Sequence, residues 1–265
     1  MAQHPFTTGR WLEANNLQKN ENWHIARNEQ NEVTSFCYVP KKDIKSIFLG
    51  TFPIYEISEG VNNRNHPEFF YGSLDNDFWP SLSDIFNLNT TNTKERLSLL
   101  ETINIGISDI LLETNRIRPF YSDDENLEKI KYNDICELLK AIPNIENIFI
   151  TSGGVSAVPN LNSKKNVASW FKDYSSKFKF TGFNKKGYVK KIEIDGIPLK
   201  LIYIYSPGNL ANTPIQGILN RNNNFGIPNM NIDLFRRYQW EYFIKKYHFN
   251  QVANIPQALM NFFEQ

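Results

Sequence analysis

The sequence is poor in cysteine and lacks any long apolar run. Only Cys37 and Cys136 occur among its 265 residues, too few for a disulfide framework or a structural zinc site and typical of a reducing compartment. No stretch of about 18 apolar residues is present, and no charged-then-apolar leader precedes the first elements. These absences predict a cytoplasmic protein that does not enter a membrane.

Metal-binding and nucleotide-cofactor signatures are also missing. The four histidines, His4, His24, His66 and His248, are scattered without the spacing of metal ligands. The phosphate-binding spacings G-x-x-x-x-G-K-[ST] and G-x-G-x-x-G are both absent. We therefore expect no metal and no cofactor.

Positive and negative side chains nearly balance, with a formal net charge of +1, but they are distributed unevenly along the sequence. Residues 161–250 hold 15 Lys and Arg against 5 Asp and Glu, whereas the remainder holds 14 against 23. A basic half is what a surface facing DNA phosphates would show. Solvated lysines on hairpins and helix surfaces would give the same count, so both interpretations stay open. The paired basic residues are Lys164–Lys165, Lys185–Lys186, Lys190–Lys191, Arg236–Arg237 and Lys245–Lys246.

Short apolar runs alternate with amphipathic segments along the chain. The predicted strands are 44–50, 103–111, 145–150 and 199–205, and the predicted helices are 80–88, 93–100, 123–139 and 233–247. A hairpin over 178–205 is expected to turn at Asp195-Gly196. This alternation predicts an α/β fold, namely a three-layer α/β/α single domain with a mostly parallel four-stranded central sheet. Residues 1–43 are expected to be an N-terminal extension packed on a domain of residues 44–265, with Val33–Val39 as an edge strand.

The stretch 46–79 carries the strongest functional pattern. An apolar strand ends in Gly50-Thr51-Phe52-Pro53, and the aromatic cluster Phe69-Phe70-Tyr71 follows after a polar loop. Asn76 then precedes the apolar pair Phe78-Trp79 at the start of a helix. Because ligands of open α/β sheets bind beyond the carboxyl ends of the strands, this pattern predicts a pocket for a flat ring. For Phe78 and Trp79 themselves, a place in the core is the favoured interpretation.

The other predicted strands also end in polar or glycine-containing turns. Asp109 lies near the carboxyl end of the second strand, where a carboxylate could accept from an N–H group of a ligand, donate if protonated, or only cap a turn. Ser152 and Gly153 follow the third strand, where backbone N–H groups can hold a phosphate or a base oxygen. The last strand ends in Ser206-Pro207-Gly208-Asn209, with Asn212 close behind.

Taken in order, the segments GTFP (50–53), FFYG (69–72), NDFW (76–79) and SPGN (206–209) resemble the motifs of the uracil-DNA glycosylase superfamily. The resemblance is nearest to its hypoxanthine and mismatch-type branches and covers residues 44–247. It departs in one respect, because the SPGN loop has no histidine to stabilise a leaving group. The number of cysteines excludes the branch with an iron–sulfur cluster, since that cluster needs four thiolates and the chain has two cysteines.

This resemblance implies a monofunctional DNA glycosylase of base-excision repair, which hydrolyses the N-glycosidic bond of a base flipped out of DNA. It gives Asn76 the role of holding the attacking water, with Asp75 and Asp77 as rivals for a general base or as caps of the next helix. Glu56 is a weaker rival. The implied base-binding residues are Gly50, Thr51, Phe52, Phe70, Tyr71 and Asp109. The implied DNA-backbone residues are Ser152, Gly153, Ser206, Pro207, Gly208, Asn209 and Asn212.

Two other classes of function remain open from the sequence. The first is an enzyme that hydrolyses free nucleosides or another small N-glycoside, which would need the pocket but not the basic half. The second is a catalytically silent DNA-binding member of the superfamily. Under the favoured hypothesis we expect DNA as partner, a monomer, and a uracil, hypoxanthine, xanthine or modified base as target. The carboxyl ends of strands 44–50 and 199–205 are expected to be neighbours.

Overall fold

The fold is built on a large mixed β-sheet. The computed structural model describes residues 2–14, 22–61, 65–118, 126–151, 178–183, 188–208 and 211–265. The strands in these ranges are β1 (Ala2–Gln3), β2 (Trp23–Arg27), β3 (Val33–Tyr38), β4 (Ser46–Gly50), β5 (Gly106–Asp109), β6 (Leu111–Arg116), β7 (Leu127–Tyr132), β8 (Asn147–Ile150), β9 (Phe178–Phe183), β10 (Val189–Ile194) and β11 (Ile197–Tyr203).

Helices cover both faces of this sheet. They are α1 (Gly9–Ala14), α2 (Tyr55–Ser58), α3 (Phe78–Phe86), α4 (Thr93–Ile103), α5 (Ile135–Ala141), α6 (Asn212–Arg221), α7 (Ile232–Tyr247) and α8 (Gln257–Glu264). The sheet face that carries Phe48 and Ile107 packs against α3, α4 and α7. The opposite face, with Leu49 and Ile148, packs against Leu138 of α5. Two apolar cores therefore hold the strands of the sheet between helices.

The large sheet has eight strands in the order β2-β3-β5-β4-β8-β11-β10-β9. Strands β5, β4, β8 and β11 are parallel, and antiparallel strands flank them on both sides. The prediction of a four-stranded, mostly parallel sheet is therefore wrong, although the class is α/β. The sheet is larger because the hairpin of β2 and β3 and the hairpin arm of β9 and β10 continue it by antiparallel pairing, which covers edges that four strands would leave open.

A second, separate sheet corrects another prediction. Strands β1, β6 and β7 form a small antiparallel sheet, and β7 occupies the first half of the segment predicted as one helix over 123–139. Its residues pair with β6 instead, and Leu127 is buried there. The helix begins only at Ile135, where Asp134 Oδ1 accepts a hydrogen bond from the backbone N–H of Glu137 at 2.8 Å.

Several local predictions are confirmed. The hairpin turns at Asp195-Gly196, both in the left-handed region with φ of 49° and 82°, as a two-residue turn requires. Strand β3 occupies nearly the predicted range, but it is not an edge strand because β2 lies outside it.

In the part of the chain that the structure describes, no helix has the length and apolar character needed to span a membrane.

The buried side chain of Asn133 joins the two sheets. Its Oδ1 accepts from the backbone N–H of Phe36 at 3.0 Å, and its Nδ2 lies 2.8 Å from both the carbonyl oxygen of Asp109 and the Oγ of Ser108. Asn133 has no exposed surface. One amide therefore joins the middle of β3, the end of β5 and the start of the β7–α5 connection.

Replacing this amide tests its structural role. We expect Asn133→Ala to lower the free energy of unfolding by roughly 2–4 kcal/mol, because it leaves buried backbone groups of Phe36 and Asp109 without a partner. Urea denaturation measures the change. Asn254→Ala, at an exposed position, is the control and should stay within about 0.5 kcal/mol of the parent protein. Equal stabilities for the two variants would contradict this role.

Candidate functional site

Three parallel strands end side by side at one edge of the large sheet. Gly50 at the end of β4 pairs with Asp109 at the end of β5. Thr151 follows β8 directly, and its backbone N–H lies 3.4 Å from the carbonyl oxygen of Leu49. We call the group formed by His4, Gly50, Tyr71, Asp109 and Thr151 the strand-end site, because these ends place its polar atoms together.

The missing side chain of Gly50 makes this site possible. A Cβ at position 50 would overlap Asp109 Oδ1 and the hydroxyl oxygen of Tyr71, and would stand 2.9 Å from Tyr71 Cζ. The carboxylate and the phenol therefore close together over the glycine backbone. Any larger residue would force one of them away.

Tyr71 reaches this position through an uncommon backbone conformation. Its φ is 50°, in the left-handed region that non-glycine residues adopt at a cost. The ring stacks on Phe78 with centroids 4.0 Å apart and planes 7° apart. Its hydroxyl is 2.5 Å from Thr151 Oγ1, so it reaches across the end of β4 to the strand beyond.

The neighbouring aromatic residues belong to the core. Phe78 and Trp79 are buried, which confirms the interpretation made from the sequence, and Trp79 Nε1 donates to the carbonyl oxygen of Phe70 at 2.7 Å. Phe70 is itself buried, and its ring stacks on Phe36. Of the two rings predicted to stack on a base, Tyr71 is thus the half-buried one.

Asp109 is paired with a histidine from the beginning of the chain. Its side chain is nearly buried, and Oδ2 lies 3.0 Å from His4 Nε2. Burial lowers the pKa of the His4 imidazole below its ordinary value, and the Asp109 carboxylate partly offsets that shift. A carboxylate only accepts, so against the Asp109 carboxylate His4 donates through its Nε2–H.

The small sheet holds His4 in place. Ala2 and Gln3 pair with β6, and the backbone N–H of His4 donates to the carbonyl oxygen of Leu112 at 2.8 Å. Strand β6 follows Asp109 almost immediately, so the N-terminal segment and the end of β5 are fixed together. The sequence alone gives His4 no functional role, because the contact joins residues 105 positions apart.

Asn76 lies directly before the N-cap position of helix α3, which Asp77 occupies. Its Oδ1 accepts from the backbone N–H of Phe78 at 2.9 Å. Asp77 stands at the cap position expected from the sequence, but its side chain makes no capping hydrogen bond. Asp75 is exposed, and its backbone N–H donates to Ser73 Oγ at 3.2 Å.

The Asp77 side chain is paired with a buried arginine, Arg236. The guanidinium of Arg236 is ion-paired with Asp77 and Asp233 and donates to Asn212 Oδ1 at 2.6 Å. Burial raises the pKa of the Asp77 carboxyl, and the charge of Arg236 partly offsets that effect. With 1% of its surface exposed, Arg236 cannot face DNA phosphates. Arg236 also occupies Oδ1 of Asn212, a residue that the resemblance assigns to the DNA backbone.

The loop after β11 contacts the first motif region. The backbone N–H of Asp77 donates to the carbonyl oxygen of Pro207 at 3.1 Å, and Ser206 Oγ accepts from the backbone N–H of Gly208 at 3.2 Å. The strands themselves are not neighbours as expected, because β8 lies between β4 and β11. Helix α7 fixes the start of the loop, where Gln239 Oε1 accepts from the backbone N–H of Tyr205 at 2.7 Å.

The remaining predicted positions are distributed as follows. Thr51 is buried and Phe52 is half-buried, with its ring 5.3 Å from that of His4. Glu56 lies in the first turn of α2. Ser152, Gly153 and Asn209 lie outside the described residues.

Several basic residues of the second half are engaged with the protein. Arg237 pairs with Asp84 at 3.3 Å, Lys246 pairs with Glu264 at 3.1 Å, and Lys190 Nζ lies 4.5 Å from the centroid of the Tyr203 ring. The pairs Lys164–Lys165 and Lys185–Lys186 lie outside the described residues. For the residues that the structure describes, no group of three His, Cys, Asp or Glu side chains is arranged to hold a metal ion.

Comparison with known proteins adds a partial structural likeness. No family model matches the chain, and no curated protein matches it. It is similar to the solution NMR structure of a protein from Methanosarcina acetivorans described as a "putative Uracil DNA glycosylase", with 22% identity and a TM-score of 0.32. The match covers 41% of this chain and 63% of that one, so it spans less than two thirds of that protein. A likeness this partial assigns neither a family nor an activity.

The close approach over Gly50 can be tested by adding one methyl group. We expect Gly50→Ala to lower the free energy of unfolding by about 1–3 kcal/mol, because the new Cβ overlaps Asp109 and Tyr71. The double variant with Tyr71→Phe should recover part of that loss, since the phenol oxygen is one of the overlapping atoms. Chemical denaturation of the four proteins of this cycle measures the coupling.

The control is Gly217→Ala in helix α6, where the new Cβ would meet only Arg221 Nη1 at 3.5 Å. This variant should be more stable by about 0.5–1 kcal/mol, as alanine is in a helix interior. Additive effects of Gly50→Ala and Tyr71→Phe would contradict the contact.

Proposed function

We propose that the protein is a DNA glycosylase that hydrolyses the N-glycosidic bond of a base flipped out of DNA. One observation carries the proposal. The segments that resemble uracil-DNA glycosylase motifs lie far apart in the chain, yet the backbone N–H of Asp77 donates to Pro207 beside the ends of three parallel strands. Motif segments that build a common pocket have to converge in this way.

The reaction makes three demands on such a site. The nucleotide must leave the duplex, a water must be held below C1′, and the departing base must be stabilised as its negative charge develops. The C1′–N bond breaks with its electron pair going to the base, which takes up a proton, and the water oxygen bonds to C1′ to leave an abasic site. Every group needed is a positioned hydrogen-bond donor, acceptor or ring.

We assign base binding to the strand-end site. The ring of Tyr71, held against Phe78, provides a stacking surface. The carboxylate of Asp109 accepts from an N–H group of the base, and backbone N–H groups of the Gly50–Phe52 turn face a base oxygen. The loop from Ser206 to Gly208 contacts the DNA backbone.

We assign the water to Asn76. Its Oδ1 already accepts the N–H of Phe78 at 2.9 Å, which fixes the side chain, and an amide oxygen has a second lone pair for a water molecule. Asp77 is less suited to act as a base because Arg236 pairs with it. The exposed Asp75 is the remaining rival.

The proposed activity is tested with a panel of oligonucleotides, single- and double-stranded, that each carry uracil, hypoxanthine or xanthine. Alkali cleaves the abasic sites after incubation, and scission at one of these bases is the expected result. Free deoxynucleosides of the same bases form a parallel set. Release of base from free nucleosides alone would assign the site to a small-substrate hydrolase, and DNA binding without scission would make the protein a silent binder.

The role of Asn76 is tested by separating water positioning from capping. We expect Asn76→Ala to slow single-turnover excision about 100- to 1,000-fold with little change in DNA affinity, the usual cost of losing one positioned polar group. The control is Asn92→Ala, which removes the cap of α4, where Asn92 Oδ1 accepts from Glu95 at 3.0 Å. It should lower stability by about 1 kcal/mol and leave excision unchanged.

The aspartates complete this test. Asp75→Asn and Asp77→Asn should retain most of the excision rate if Asn76 alone holds the water. An inactive Asp75→Asn protein beside an Asn76→Ala protein of parental rate would transfer the role to Asp75.

A further inference from the structure

The pairing of His4 with Asp109 is not explained by folding alone. The imidazole is fully buried, and the rings of Phe6, Phe36, Phe52 and Phe70 lie around it with centroids 4.2–5.8 Å away. Among the described residues, His4 Nδ1 has no hydrogen-bond partner. Apolar residues of similar volume commonly replace a buried polar pair without loss of stability. The pair therefore carries a desolvation cost that two apolar residues in the same places would avoid.

The only side-chain hydrogen bond of His4 in the described structure is directed at Asp109. Its Nε2–H occupies Oδ2 at 3.0 Å, which fixes the orientation of the carboxylate. The second oxygen, Oδ1, then lies over Gly50 next to the Tyr71 hydroxyl. That oxygen is the atom a base in the strand-end site would meet.

We propose that His4 is a positioning residue that fixes Asp109 as a hydrogen-bond acceptor, so that the site takes a nucleobase presenting an N–H group on its Watson–Crick edge. This inference rests on the proposed function and makes it more specific. A base that presents only acceptors at this edge would face Oδ1 without a proton between the two atoms. It would be rejected, because leaving a buried polar group unpaired discriminates strongly between substrates.

The same geometry predicts the effect of changing each partner. His4→Phe fills the aromatic cage but removes the donor, so Asp109 loses its fixed orientation. His4→Gln keeps an amide N–H that can reach Oδ2. In Asp109→Asn, the His4 donor selects the amide oxygen, and the NH₂ group takes the place of Oδ1. The site then offers a donor where it offered an acceptor.

The test compares kcat and KM on oligonucleotides carrying uracil or hypoxanthine with those on oligonucleotides carrying pyrimidin-2-one or unsubstituted purine, in which the ring nitrogen of the Watson–Crick edge carries no proton. We expect the parent protein to favour the N–H base by roughly 10- to 100-fold or more. His4→Phe should lose most of that preference, mainly through KM, and His4→Gln should restore it. Asp109→Asn should reduce excision of the N–H base and bring the preference close to one or below.

The outcomes separate this inference from the proposed function. A parent protein that excises no base overturns both. A parent protein that discriminates, with a folded His4→Phe variant equal to it within about twofold, overturns the positioning role and leaves the glycosylase intact. Thermal unfolding checks that the variant is folded. If His4→Phe does not fold, Asp109→Asn decides, and an unchanged preference for the N–H base overturns the inference.

Discussion

The approach of Asp109 and Tyr71 to the backbone of Gly50 is the contact on which the rest of the site depends. Parallel pairing of β4 with β5 places Gly50 beside Asp109, and the absent Cβ leaves room for two polar groups over one backbone position. Tyr71 then bonds to Thr151 on the next strand. Three strand ends are in this way joined by side chains.

Buried polar residues from distant segments support that edge. Asn133 joins β3 at Phe36 to the end of β5, and His4 fixes the Asp109 carboxylate. Arg236 joins the start of α3 to the start of α6 through its contacts with Asp77 and Asn212. Buried ionic and amide groups add little net stability but specify one arrangement when each is paired. The site is therefore held by contacts between segments that are remote in sequence.

Individual strands and turns could be predicted from the sequence, but pairings and contacts between segments distant in the sequence could be predicted only in part. The strand ending at Gly50 and the turn at Asp195-Gly196 follow from apolar runs and turn residues, which act over a few positions. The extra strands of the sheet depend on pairing with distant segments, which periodicity does not reveal. Leu127 and Ile130 have helical spacing, yet this segment is a strand because β6 offers it a partner. His4 was missed for the same reason.

The account is tested most directly by finding where a substrate binds. An NMR titration with an oligonucleotide that carries a non-cleavable 2′-fluoro nucleotide of the excised base would report each backbone amide. We predict that the largest shifts occur at Gly50, Tyr71 and Asp109. The opposite end of β4, where His248 Nδ1 lies 3.0 Å from Ser46 Oγ, should change little. Shifts centred on Ser46 and His248, or none at the strand-end site, would contradict the account.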